Sequence, residues 1–180
     1  MIGLTLLALA LADAGSSARP CVPVASDHLK PTPSAIEDHK SLRAALGVPM
    51  PQAPTMVMLY GKGGHLSTEE YSIVLIRVAD RTWRGTAVGR SQIWVQDAPY
   101  EPMKEKDWAL DKAAAEKLEH AISLHCQFDR AAASGTSNPP PPPRGYISER
   151  VDVLTPNHAP ITFYASEGDG KIAQFIRPPN

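Results

Sequence analysis

The segment from Arg77 to Trp94 concentrates side chains that can bind an anionic partner. It holds four arginines and two tryptophans against a single acidic residue, Asp80. A guanidinium forms forked hydrogen bonds to carboxylates and phosphates, and an exposed indole adds cation–π contact. The candidate binding residues are Arg77, Arg81, Trp83, Arg84, Arg90 and Trp94. We predict that they face a protein partner or an anionic envelope component, such as a lipopolysaccharide phosphate or a peptidoglycan carboxylate.

The stretch from 101 to 119 offers a structural explanation for the same arginines. It carries six acidic residues against four basic ones. If a helix in this stretch packs beside the arginines, its carboxylates would neutralise the guanidinium groups within the molecule. The sequence leaves both interpretations open.

Familiar catalytic patterns do not match this sequence. Gly61-Lys62-Gly63-Gly64 lacks the spacing of a phosphate-binding loop, and we predict a flexible turn there. Gly89-Arg90-Ser91 begins like a nucleophile elbow but lacks the second glycine. We therefore predict a non-catalytic binding module. The alternatives are a small exported hydrolase that uses His65 and His158, whose site is assembled only in three dimensions, and a structural component of an envelope assembly.

The histidines and methionines give no metal-binding pattern. Met56 and Met58 would share one face of a strand with His65 nearby, a set that suits Cu(I), but methionine more often fills a core. His120 and His125 are five residues apart, about 140 degrees around a helix, so they cannot share a metal. We predict neither a metal nor a cofactor.

The first residues are typical of an export signal. Ile2–Ala12 is an apolar run of the length of a signal-peptide core, and it is too short to span a bilayer. Ala12-Asp13-Ala14 supplies the small residues that a signal peptidase accepts. We therefore expect removal of residues 1–14, a periplasmic or secreted product, and no membrane span in the mature chain.

Export would pair the only two cysteines of the chain, Cys21 and Cys126. Closing a loop of roughly 100 residues stabilises a protein by at most about 4–5 kcal/mol in the chain-entropy model. The bridge would tether residues 15–33, a proline-rich arm with little apolar periodicity. A reactive thiol beside His125 is the alternative, although neighbours in sequence need not be neighbours in space.

The composition suits one folded domain. The chain has 180 residues, of which 43% are hydrophobic, and 18 basic residues nearly balance 19 acidic ones. Apolar material is therefore ample for a core. A formal charge of −1 argues against a nucleic-acid binder, which needs clustered cations.

Two helices and several strands must position these residues. Ser34 and Glu37 form a capping-box pattern that predicts a helix over 34–46, closed by Gly47. Apolar residues at spacings of three and four predict a longer helix over 111–126.

The strands follow from the remaining apolar runs and breaks. Predicted strands cover Thr55–Tyr60, Tyr71–Ala79, Trp83–Val88 with Gln92–Val95, and a hairpin of Ile161–Ser166 with Lys171–Ile176, and Val151–Leu154 is a candidate for one more strand before that hairpin. Gly89 would mark a bulge. Residues 131–145, with five consecutive prolines, are expected to form a loop. We predict an α+β domain over 34–180: a mainly antiparallel sheet of about five or six strands with the long helix packed on one face.

Overall fold

The computed structural model describes residues 34–128, 145–156, 160–165 and 171–179. The predicted signal peptide (1–14), the arm (15–33) and all but the last residue of the proline-rich loop (131–145) lie outside these ranges. So do Cys21 and the side chain of Cys126, and the predicted disulfide therefore stays a prediction.

The described residues form a mixed α+β fold with a mainly antiparallel sheet. Its elements are α1 (Ile36–Ala45), β1 (Met56–Gly63), β2 (Ser67–Ala79), β3 (Thr82–Ile93), β4 (Glu101–Pro102), β5 (Lys106–Ala109), α2 (Lys112–Phe128), β6 (Ile147–Leu154), β7 (Ile161–Tyr164) and α3 (Lys171–Ile176).

The sheet has the strand order β4-β3-β2-β1-β6-β7, and β5 also pairs with the outer edge of β3. Its seven described strands exceed the predicted five or six. The additional strands are the short β4 and β5, whose charged sequence lacks the alternation that marks a strand. They pair because the edge of β3 presents unsatisfied backbone groups, which any extended segment can meet.

One face of the sheet is covered by α2 and α3. Side chains alternate along a strand, so every second residue of β1 and β2 points into this layer. The core on this side contains Val57, Leu59, Ile73, Leu75, Trp83, Leu118, Val151, Ile172 and Ile176. Full burial of such a side chain contributes roughly 1.5–3 kcal/mol relative to exposure, so this layer stabilises most of the sheet.

The opposite face is only partly covered, by α1. Met58 and Val74 are buried there, and Leu42 of α1 packs beside Tyr60. β2 is therefore buried on both faces in its centre, as its run of apolar residues predicts. We refer to the two sides as the α2 face and the α1 face.

The start of α1 differs from the predicted capping box. Asp152 of β6 accepts hydrogen bonds from the Ala35 backbone N–H (2.9 Å) and the Ser34 hydroxyl (3.0 Å). Glu37 instead pairs with Lys40 at 2.8 Å. A carboxylate from a distant strand thus satisfies the helix start, which no local pattern reveals. The predicted left-handed residue at the other end is confirmed, since Gly47 has a φ of 71°.

Two glycine predictions were wrong. Gly61 does not end β1, which continues to Gly63. A glycine lies inside the strand because the Tyr71 ring packs against it: a Cβ at Gly61 would lie 2.2 Å from Cζ of that ring. Gly89 makes no bulge either, since β3 is continuous. A Cβ there would lie 3.1 Å from Cβ of Tyr71, and the register shift falls between Arg77 and Ala79 of β2.

The predicted final hairpin is wrong in its second half. Ile161–Tyr164 is a strand, but Lys171–Ile176 is a helix. Ile172 and Ile176 are buried and four residues apart, a helical spacing that the short alternating pattern concealed. Across the described ranges, no helix is long and apolar enough to cross a membrane.

Candidate functional site

A pocket of about 470 Å³ opens on the α1 face of the sheet. Strands β1, β2, β3, β6 and β7 form its floor, and Asp38, Ser41 and Leu42 of α1 form one wall. The strand residues that line it are Tyr60, Lys62, Glu70, Arg90, Ser148, Arg150 and Tyr164.

The register of the sheet brings these residues together. Glu70 of β2 lies directly opposite Lys62 on one side and Arg90 on the other. Tyr60 lies opposite Arg150. Side chains directly opposite each other in antiparallel strands have Cβ atoms about 4.5–5.5 Å apart, so the polar groups of these paired residues can contact one another.

Glu70 is the centre of the pocket's hydrogen-bond network. It is 4% exposed and accepts hydrogen bonds from the Tyr60 hydroxyl, from Lys62 Nζ (3.3 Å) and from Arg90 Nε (2.7 Å). Burial alone would raise the pKa of Glu70, but the hydrogen bonds from Tyr60, Arg90 and Lys62 outweigh it and lower the pKa. Glu70 is therefore an ionised anchor that holds its three donors in place.

Tyr60 is a fixed donor in the same network. Burial, together with the hydrogen bond to the Glu70 carboxylate, raises the pKa of the Tyr60 hydroxyl. The phenol therefore stays protonated at any physiological pH. The Arg150 guanidinium lies 5.5 Å from the centre of the Tyr60 ring and forms an ion pair with Asp38.

The pocket carries an excess of positive charge. Its described cationic side chains are Lys62, Arg90 and Arg150, and its described carboxylates are Asp38 and Glu70, so the cations outnumber the carboxylates by one among the described lining residues. A partly enclosed site of this kind attracts anions, because the surrounding protein screens charge less than water does.

Behind the pocket, His39 and Ser72 form a buried pair. Ser72 Oγ lies 2.7 Å from His39 Nδ1 and accepts a hydrogen bond from Arg43 Nε at 2.8 Å. The hydroxyl proton is thus assigned to the bond with His39. Burial, then the charges of Arg43 and Arg150, lower the pKa of His39 to about 3. Both His39 and Ser72 are 0% exposed, so a substrate cannot reach them in this conformation.

Three of the predicted binding residues lie on the α2 face. Trp83 is 1% exposed and donates from Nε1 to Glu119 Oε1 at 3.2 Å, so the expectation of an exposed indole is wrong there. Arg77 Nε lies 2.9 Å from the same carboxylate oxygen, and Arg81 pairs with Glu116 at 3.6 Å. Acids of α2 therefore neutralise these arginines, as the structural explanation predicted.

The other three predicted residues lie on the α1 face or at its end. Arg84 and Arg90 point away from Trp83 because side chains alternate along β3. Arg90 lines the pocket, whereas Arg84 is exposed outside it. Trp94 is 68% exposed and donates from Nε1 to Thr68 Oγ1 at 2.8 Å. The candidate binding residues between Arg77 and Trp94 are thus divided between two faces, and whether they bind a partner stays a prediction.

The described residues place only some of the metal and hydrolase candidates. Met56 and Met58 share a face, as predicted, and are buried in the core beside Val74. His65 is exposed, and His158 lies outside the described residues. Within the ranges that the structure describes, no group of three or more His, Cys, Asp or Glu side chains is placed to hold a metal ion.

Sequence reasoning missed most of the pocket. Lys62 was considered only as part of the glycine-rich turn, and Glu70 and Arg150 were not singled out, because no motif surrounds them. A usable signal existed: polar residues two apart, such as Ser148 and Arg150, interrupt one face of strands that are otherwise apolar.

Comparisons with protein-family models, with curated proteins and with solved structures give no match to this chain. The comparisons therefore assign no function to this chain.

Proposed function

We propose that the protein is a non-catalytic binding module that takes the anionic group of a ligand into the pocket on the α1 face. The observation that carries this proposal is the convergence of Lys62, Arg90 and Arg150 in one pocket with a net positive charge. The partner would be an anionic envelope component or an acidic group on a protein.

The cations of the pocket are already oriented for such a ligand. Arg90 uses Nε and Nη2 on Glu70, and a guanidinium has five N–H donors, so further donors remain for a ligand beyond the described contacts. Lys62 has three donors and a side chain that is 51% exposed. Fixing the donors before binding lowers the entropy lost on association.

The same groups are poorly suited to catalysis. Glu70 is held ionised and Tyr60 is held protonated, so neither exchanges a proton near neutral pH. The described lining residues include no histidine or cysteine. The pocket therefore supports holding a ligand rather than transforming it.

The proposal includes export. The apolar leader and its small residues support removal of residues 1–14, a periplasmic or secreted product, and a disulfide between Cys21 and Cys126. That bridge would tether the arm to a domain covering 34–180, with the long helix closing one face of the sheet. Sequencing the N-terminus of protein recovered outside the cytoplasm should give Gly15, and a thiol assay should find no free cysteine. A retained leader or two free thiols would contradict export.

A titration followed by NMR tests the pocket. We expect glucuronate and inorganic phosphate to shift resonances of pocket residues, and neutral glucose to shift none. Replacing both Lys62 with Ala and Arg90 with Gln should weaken anion binding at least about tenfold, the range for charged groups that contact a ligand.

Arg84→Gln is the matched control, because Arg84 lies on the same strand and face but outside the pocket. Circular dichroism would establish that the variants are folded. Equal binding by the folded double variant and the wild type, or no anion binding at all, would overturn the proposal.

A hydrolase is the second candidate, and the pairing of Ser72 with His39 is the observation that favours it. An exposed Ser–His pair reacts with fluorophosphonates. Because both residues are buried, we expect no labelling of the protein. Labelling that disappears in Ser72→Ala would favour the hydrolase over the binding module.

A structural component of an envelope assembly is the third candidate from the sequence. No contact among the described residues bears on it. Native mass measurement in cell extracts separates it from the other two, since only an assembly component would appear mainly in a large complex.

A further inference from the structure

We propose that the ligand is a carboxylate-bearing sugar chain, with a carboxylate in the pocket and linked sugar rings on Trp94 and Tyr100 beside it. This inference rests on the proposed function, which places an anionic group in the pocket. It adds the chemical class of the ligand and a second surface that the pocket alone does not include.

Trp94 is an exposed ring that is held in a fixed position. Its indole is 68% exposed, yet Nε1 donates to Thr68 Oγ1 at 2.8 Å and its backbone N–H donates to the Leu66 carbonyl at 3.1 Å. Thr68 points to the same face as Glu70, two residues along β2, which is roughly 7 Å. The indole therefore lies next to the pocket, and little side-chain entropy is lost when a ligand covers it.

Tyr100 connects this aromatic surface to the pocket. The Arg90 guanidinium lies 4.1 Å from the centre of the Tyr100 ring, and Tyr100 is still 41% exposed. Arg90 is thus fixed by Glu70 on one side and by an aromatic ring on another. A ligand that reaches Arg90 from the direction of Tyr100 meets an aromatic surface and a charged group together.

The apolar surface continues around Trp94. Val95 follows Trp94 in the chain, and the Leu66 carbonyl accepts a hydrogen bond from the Trp94 backbone N–H; their side chains are 62% and 78% exposed. Sugar rings match such a surface because their faces present C–H groups and their edges present hydroxyls. The electron-rich face of an indole or phenol ring packs well against those C–H groups.

Charge favours a carboxylate over a phosphate. The pocket has one positive charge in excess among its described lining residues, which one carboxylate balances. A phosphate group at neutral pH carries up to two negative charges and would leave the site overcompensated. A uronic acid combines one carboxylate with a ring face that an aromatic side chain can cover.

The separation of the two surfaces favours linked sugars. One ring cannot place its carboxylate against Arg90 inside the pocket and also cover the Trp94 indole, whose hydrogen-bond partner Thr68 lies two residues from Glu70 along β2. A chain of uronic acids can do both, because successive units follow one another from the pocket onto Trp94.

The experiment compares monomeric galacturonate with a galacturonate tetramer, using calorimetry and tryptophan fluorescence. We expect the tetramer to bind more tightly and to shift the emission of Trp94 to shorter wavelength. Trp94→Ala should weaken tetramer binding at least about fivefold, as truncation of a covered aromatic usually does, and leave monomer binding unchanged.

Trp94→Phe should restore part of the lost affinity, because it keeps an aromatic face. Val78→Ala is the matched control, since Val78 is also exposed, at 49%, but lies at the other end of β2. Neutral maltotetraose and a tetraglutamate peptide complete the set of ligands, and both should bind at least about tenfold more weakly than the tetramer.

The outcomes separate this inference from the proposed function. If monomer and tetramer bind equally and Trp94→Ala has no effect, the sugar-chain inference is overturned while the anion pocket stands. Tetraglutamate binding as tight as the tetramer's overturns it in favour of an acidic peptide, and equal maltotetraose binding overturns the role of the carboxylate. If no anion binds, both proposals fail.

Discussion

The two faces of the sheet use the same kinds of side chain in two different ways. On the α2 face, Arg77 and Trp83 share the carboxylate of Glu119. On the α1 face, Arg90 and Tyr60 share the carboxylate of Glu70. Both networks combine an arginine, an aromatic donor and an acid, and the second borders the pocket on the α1 face.

The difference lies in the element that supplies the acid. Glu119 comes from the covering helix, so its ion pair joins Arg77 of β2 to α2, and the Arg77 side chain stays 34% exposed. Glu70 comes from a neighbouring strand, so its ion pair with Arg90 joins two strands of the sheet beside the pocket, and the Arg90 side chain is 24% exposed. The two arginines therefore differ in what their acids connect and in the pocket that borders Arg90, and not in a greater exposure of Arg90.

The lengths of the two helices strengthen this contrast. Helix α2 has 17 residues and α1 has 10. At a rise of about 1.5 Å per residue these correspond to roughly 25 and 15 Å. The shorter helix covers only part of its face, and the pocket lies beside α1 on the part that the helix leaves uncovered.

The largest effect is expected from Trp83→Ala on the closed face. Removing a fully buried indole and its hydrogen bond to Glu119 should lower the free energy of unfolding by about 3–5 kcal/mol in a denaturant titration. Trp94→Ala is the control, and its change should stay within about 0.5 kcal/mol because that indole is exposed. Similar losses for the two variants would remove the distinction between the faces.

Glu70→Ala should have the next largest effect. It leaves Lys62, Arg90 and Tyr60 without their acceptor, and the expected loss in the free energy of unfolding is about 2–3 kcal/mol. Water entering the pocket can rehydrate the cations, which keeps the loss below that for a fully enclosed pair. The neighbouring Glu69→Ala, whose side chain points to the other face, should cost less than about 0.5 kcal/mol. A cost for Glu70 as small as that of Glu69 would contradict its central role.

The third prediction concerns pH and the interior beneath the open pocket. The pKa of His39 is lowered from 6.5 to about 3, mainly by burial, so between these values the unfolded chain binds a proton that the folded chain does not. Stability should therefore fall as pH falls, by about 1.5 kcal/mol between pH 6.5 and 5. Unfolding curves of His39→Asn should lack this loss.

The exposed His65→Asn is the matched control for that measurement and should keep the loss, because it leaves His39 and its burial unchanged. The lowered pKa of Glu70 adds a further loss of stability only at lower pH, around and below its ordinary value of 4.5. If His39→Asn retains the full slope above pH 5, the site beneath the pocket is wetter than its burial indicates.

The smallest effect is expected for the exposed pair of Arg81 and Glu116. Their side chains are 61% and 48% exposed and lie 3.6 Å apart. A double-mutant cycle should give a coupling below about 0.5 kcal/mol that vanishes at high salt. The same cycle on Arg90 and Glu70 should give a larger coupling that persists in salt. Equal couplings would show that Glu116 of the helix and Glu70 of the neighbouring strand stabilise their ion pairs to the same extent.

The sequence predicts the class of this fold because its strongest signals are local. The apolar run in β2 and the mainly antiparallel α+β arrangement follow from periodicity. The strands β4 and β5 do not, since they form only because β3 offers an unsatisfied edge. The cap of α1 by Asp152 is equally non-local, with more than a hundred residues between the partners.

The site was predictable only in part. Arg90 was found from its residue type, but it was grouped with Trp83, although Trp83 and Arg84 are neighbours on one strand and must face opposite ways. Once β3 is known to be continuous, the alternation of side chains along it assigns the candidate binding residues of this strand to two different faces. Lys62, Glu70 and Arg150 needed the register of three strands, which no spacing within one strand specifies.

The short strands at the borders of the sheet have a consequence for association. In the described part of the chain, β4 has two residues, and β5 and β7 have four each. Edges this short offer little backbone on which a foreign strand can be templated, so they discourage sheet-to-sheet aggregation and β-strand addition. For the binding proposed above, these borders favour contact through side chains over pairing with an extended backbone.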